Sequence, residues 1–354
     1  MSLTKIVRKC SMKYLGSLLF WLTILLLNTP LSSAQTFTAT ALGDYGNVTV
    51  MEVSGNYDAK NPDGTINSAP REAIAKEFYS LHKDEYDFLV IFTNFNFSMP
   101  SAEAKAFYTG VKNDIQGIGL ETFDGSSYYG SNGKLQGTID MGNISGHVTN
   151  PLAPQFEETL RLLSHEMMHR WGVRVKFKNA DGALSSALLG RENTHWSFLV
   201  DSQGSLMYGN TWKNNGDGTF TSTASLSDLR YYSPLDLYFM GIYDKSQVPP
   251  ILLIENATYN GSPVDRTQTP MAGVTISGTA RYVTIDEIIA AEGERIPGAA
   301  TSQKTFKTAF IFITTPGTFI GDEVYGIENI RNGAITRFSV QTDGRGIMEV
   351  ASTP

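Results

Sequence analysis

The sequence predicts an α+β fold: a twisted mixed sheet packed on one amphipathic helix, followed by a mixed α/β C-terminal portion. Three observations predict it. "YDFLVIFTNF" (86–95) is continuously apolar and rich in β-formers, as a buried strand is. Phe156, Leu160, Leu163, Met167 and Trp171 recur at i, i+4, i+7, i+11 and i+15, which marks a helix over 155–171 with one inward stripe. Strand-like and helix-like stretches alternate along the chain without a repeat or a low-complexity linker.

Taken in order, residues 36–54 alternate in the manner of strands, and "SAPREAIAKEFYSLH" reads as a helix capped by Ser68 with Pro70 near its start. After the strand at 86–95, "SAEAKAFYTGV" reads as a short helix or turn, and "KLQGTIDMGNI" (134–144) as a strand with edge character. The helix over 155–171 follows. Residues 180–225 are rich in Gly and Asn and show few periodic signals. "YYSPLDLYFMG" (231–241) is a second helix, with Ser233 as N-cap and Pro234 at its first position. A further helix is predicted at 285–293, mixed cues at 304–315, and a strand at 333–342. "NPDG" (61–64) and "NNGDG" (214–218) lack the full pattern of a calcium loop and read as turns.

The N-terminal 34 residues read as a cleavable signal. Lys5, Arg8, Lys9 and Lys13 precede an apolar run of about 14 residues, short of the roughly 20 that span a bilayer. Ser32 and Ala34 supply the small residues for cleavage after Ala34. A secreted or periplasmic location follows, with no membrane attachment after cleavage. The only cysteine, Cys10, lies inside this segment, so the remaining chain has no disulfides and must rely on its core. Removing four positive charges takes the formal net charge from −7 to −11. A chain this acidic, without a Lys/Arg run, argues against nucleic acid and anionic membranes as partners.

The chemistry is carried by "LLSHEMMHRW" (162–171). His165 and His169, four residues apart on a helix, place two imidazoles on one face about a turn apart, where both can reach one Zn²⁺ at about 2.0–2.1 Å. Glu166 points off that face and can act on a metal-activated water instead of binding the metal. Arg170 is charged where this pattern usually has an uncharged residue. On these residues the sequence resembles the zincin metallopeptidases, whose sheet offers an edge strand above the helix to an extended substrate. The resemblance implies a zincin-like catalytic domain over 35–245, with "KLQGTIDMGNI" as its edge strand. Residues 246–354 then form a C-terminal subdomain, separate from that domain or continuous with it.

A third ligand is expected. Val175 stands where the metzincin pattern has His, and Glu192 lies near the gluzincin position but outside the helix that family uses. Asp236, early on its capped helix, is similar to the third ligand of aspzincins, and the alternative is an Asp bonded to its own helix N-terminus. His195 can ligate the metal or hold an oxyanion, or simply pack beside Trp196. The order "HWS…GSLM…SPLDLYFMG" is similar to secreted bacterial HExxH proteins, including relatives of the immune inhibitor A type, although the motif that follows HExxH in those is absent. The expectation is a secreted zinc endopeptidase acting on protein or peptide substrates. In it His165, His169 and Asp236 hold the metal, Glu166 is the general base, and His195 stands at the oxyanion; Tyr232 and Tyr238 are further donors. Two other readings stay open: a non-catalytic exported binding or adhesion module, and a zinc hydrolase of another bond such as a cell-wall amide.

Overall fold

A strand that is apolar at every position needs two apolar layers, and the main sheet supplies them. The computed structural model describes residues 36–350 apart from 59, 102, 103 and 319, so the expected signal segment lies outside the described residues. The first elements are β1 (Thr38–Tyr45), β2 (Val48–Ser54), α1 (Ala69–Leu81), β3 (Phe88–Thr93), β4 (Phe107–Gly110), β5 (Gly137–Asn143) and α2 (Phe156–Met168). Next come β6 (Trp196–Asp201), β7 (Tyr208–Asn210), β8 (Trp212–Asn214), β9 (Thr219–Ser222) and α3 (Pro234–Met240). The chain continues with β10 (Ile251–Tyr259), β11 (Thr275–Val283), α4 (Ile285–Glu292), β12 (Thr305–Thr314), α5 (Glu323–Gln341) and β13 (Ile347–Val350).

The main sheet runs β1-β2-β12-β3-β5-β4, parallel from β2 to β5 and antiparallel at both ends, with β13 alongside β12. On β3, Phe88, Val90 and Phe92 face the core that holds α2 and α5, while Leu89 and Ile91 face the core under α1. β12 divides in the same way, Phe306, Phe310 and Phe312 against Ala309, Ile311 and Ile313. At the start of α1 the Ser68 hydroxyl donates to Glu72 at 2.6 Å instead of capping a backbone N–H. A second sheet, β7-β6-β10-β11-β9-β8, closes on a smaller core of Phe198, Trp212, Phe220, Leu252, Ile254 and Ile276. Among the described residues no helix is long and apolar enough to cross a membrane.

The architecture is mixed α+β, and three local expectations change. "SAEAKAFYTGV" contains the strand β4, which pairs outside β5, so β4 and not 134–144 is the sheet edge. Gly137 makes that pairing possible, since a Cβ there would overlap the Tyr108 ring lying across it. The stretch at 333–342 is the end of α5: Ile327, Ile330, Ala334 and Phe338 are buried with helical spacing, and this packing overrides the β-branched residues. The region 180–225, poor in periodicity, supplies β6 to β9. Residues beyond 245 contribute to both sheets: β12 sits between β2 and β3, and β10 pairs with β6.

Candidate metal centre

The burial of α2 aims its polar residues. Phe156, Leu160, Leu163 and Met167 enter the core, and Gly333 of α5 lets α2 approach, since a Cβ there would lie 2.9 Å from Leu160 and Phe156. The opposite side of α2 carries His165, and His169 caps the helix while keeping right-handed helical dihedrals (φ −58°, ψ −15°). The one-turn relation survives at the helix end, with the two ring centroids 5.0 Å apart.

His195 arrives from a different part of the chain. A turn at 191–194 precedes β6, with Glu192 (φ 57°) and Asn193 (φ 55°) both left-handed. The Gly190 N–H donates to the His195 carbonyl at 2.8 Å, and the Trp196 N–H to Met207 at 2.8 Å, which fixes the chain on both sides of the ring. His165, His169 and His195 each present a ring nitrogen within 4.8 Å of the others, and the centroids form a triangle with 5.0 Å sides.

The tautomers follow from the carbonyls. His165 Nδ1 lies 2.7 Å from the Leu206 carbonyl and His195 Nδ1 3.1 Å from that of Arg191, so each Nδ1 carries the proton and donates it. The two Nε2 atoms, 3.1 Å apart, then face each other as lone pairs. Protonation is opposed: burial, joined by the neighbouring imidazoles and arginines, pushes His165 down to about 3 and His169 well below its ordinary value. Burial also pushes His195 down to about 4. What fits between facing lone pairs that resist protons is a cation. Two nitrogens at 2.0–2.1 Å from one tetrahedral centre are separated by about 3.3 Å, close to the spacing found.

Glu166 is buried beside the cluster. Burial, and then the charge of Glu192, pushes its carboxyl up to about 8, while the backbone N–H of Tyr108 on β4 donates to it and pulls the other way. These groups line a cleft of about 820 Å³ whose walls include β4, Arg174 and Tyr208. Tyr208 opposes Trp196 across β6 and β7, which stacks its ring on His195 at 4.6 Å.

Asp236, expected as the third ligand, does not belong to this cluster; His195 does. The Asp236 carboxylate is fully buried and already bonded: Trp196 Nε1 donates at 2.9 Å, Ser205 Oγ at 2.6 Å, and the Ser233 N–H at 2.8 Å within a capping box on α3. It therefore braces Trp196, next to His195, and Ser205, next to the carbonyl that holds His165. Tyr232 donates to the Ser164 carbonyl at 2.9 Å and Tyr238 accepts from the Arg295 N–H at 3.1 Å, so neither phenol serves the cleft. Glu192 lies at the rim, 3.5 Å from Arg191. Arg170, buried, ties the end of α2 to Gln136 at 2.8 Å and Asn113 at 2.9 Å, which accounts for a charged residue at that place. Tyr108 and Tyr208 reach the cleft only through the pairing of β4 with β5 and of β7 with β6, which no local pattern marks, whereas Arg174 enters from the loop just after α2. No protein-family model, curated protein or solved structure matches the chain.

Proposed function

We propose that this chain is an exported zinc-dependent endopeptidase, with His165, His169 and His195 holding the metal and Glu166 as general base. The observation that carries the reading is the convergence of three neutral imidazole nitrogens beside a buried carboxylate, in a cleft bounded by a sheet edge. The donor set suits zinc, which takes three nitrogen ligands and keeps one position open in catalytic sites. Bound there, zinc supplies Lewis acidity that lowers the pKa of water and polarises a carbonyl.

The remaining steps belong to the chain's own groups. β4 presents its outer backbone groups to an extended peptide as one more strand. Glu166, oriented by the Tyr108 N–H, takes a proton from the attacking water as its oxygen bonds to the carbonyl carbon. The same carboxyl gives that proton to the leaving nitrogen as the C–N bond breaks. Tyr208, a phenol lining the cleft, would donate to the developing oxyanion, the role expected of His195 from the sequence.

Glu166→Gln tests this reading. One zinc per chain should remain by elemental analysis, while hydrolysis of unstructured protein substrates falls by about a thousandfold. Hydrolysis at the wild-type rate in that variant would remove Glu166 from the mechanism. Zinc in a wild-type protein that cleaves no peptide points to another amide as substrate, and a wild type with neither zinc nor hydrolysis points to a binding module.

A further inference from the structure

The cleft carries four arginines, and three have an acidic partner inside the protein: Arg71 with Asp140 at 3.2 Å, Arg161 with Glu158 at 2.9 Å, and Arg191 with Glu192 at 3.5 Å. Arg174 differs. Among the described residues no carboxylate lies within salt-bridge distance of it. Its Nη1 donates to the carbonyls of His169 at 3.1 Å and Gly172 at 3.4 Å, which pins the guanidinium beside a residue of the imidazole cluster. Its Nε and Nη2 make no hydrogen bond among the described residues, so one edge of a fixed, planar fork is open.

A guanidinium held half-buried without a counter-charge is costly unless something from outside completes it. The open fork matches a carboxylate, which accepts two parallel N–H donors. The setting is selective as well, because the expected mature chain is strongly acidic and repels anions elsewhere.

We propose that Arg174 is a substrate-recognition residue that binds a carboxylate of the peptide close to the bond that is cut, giving the cleft a preference for acidic peptides. The inference rests on the peptidase reading for its substrate. The carboxylate has two sources, an Asp or Glu side chain or a free C-terminus, and both offer the same pair of oxygens.

The test uses binding, so that it does not depend on turnover. Fluorescent peptides of one sequence are titrated onto the full zinc-loaded protein carrying Glu166→Gln. One carries an internal Glu and an amidated C-terminus, a second Gln and a free C-terminus, and a third Gln and an amide. The expected result is at least about tenfold tighter binding of one carboxylate peptide than of the fully amidated twin, the preferred peptide naming the source. Adding Arg174→Gln should bring that ratio to about one, and Arg174→Lys should leave it in between. Each ratio is taken within one protein, so a partly folded variant does not blur it. Equal binding of all three peptides, or a ratio that survives Arg174→Gln, overturns the proposal. Carboxylate preference in a wild-type protein that hydrolyses nothing would sustain it while removing the peptidase reading.

Discussion

Behind the wall of the cleft, which Arg71 lines, Arg71, Asp140 and Tyr57 form a closed set, whereas His165, His169 and His195 form an open one. Both are buried and polar. In the first, Arg71 meets both oxygens of Asp140 at 3.2 and 3.3 Å, the Tyr57 hydroxyl donates to the same carboxylate, and the guanidinium lies 4.2 Å over the Tyr57 ring. Every charge has its opposite within reach. In the second, two Nδ1 protons are satisfied by carbonyls and the Nε2 lone pairs converge with no donor between them. A closed set stabilises a fold and an open set waits for a ligand, so burial alone does not identify a site. The balance of donors and acceptors does.

The contrast can be broken most strongly from the closed side. Arg71→Met strands the Asp140 charge in the core and should cost about 3–5 kcal/mol in urea unfolding. Adding Asp140→Leu should recover part of that loss, and a single-variant loss below about 1 kcal/mol would mean the set is not closed. On the open side, saturating zinc should raise the stability of the wild type by up to about 4 kcal/mol at a thousand times its Kd, read as a shift in thermal midpoint. His195→Ala should lose that shift together with its zinc. A variant that keeps both would show that His195 is no ligand.

Asp236 gives the smallest expected effect and the sharpest discrimination. Asp236→Asn weakens a capping box and two side-chain bonds, for about 1–2 kcal/mol, with zinc retained. A folded Asp236→Asn protein without zinc would return Asp236 to the ligand set.

How far the site was legible follows from the range of each interaction. His165, Glu166 and His169 lie within five residues of one helix, and the helical period makes their geometry local. The sequence offers Asp236 and His195 as a third ligand and favours Asp236, but Asp236 is already occupied inside the fold. Trp196 and Ser205 occupy Asp236 through bonds spanning 40 and 31 residues, which no local pattern encodes. The strand at 86–95 was readable because burial on two faces leaves it uniformly apolar. β4 was not, since four residues with mixed burial carry too little signal. In α5 the window at 333–342 hid the earlier half of a buried stripe that begins at Val324.

The position of β12 between β2 and β3 has a consequence in time. A ribosome has delivered α2 and both imidazole-bearing segments well before residues 305–314 exist, yet the strands that flank β12 cannot join until it arrives. Sequence-distant pairings of this kind form late and slowly. The growing chain is therefore expected to hold its HEMMH segment on an incomplete scaffold while residues 170–314 are added, and to gain a formed centre only when the last strands of the main sheet are in place.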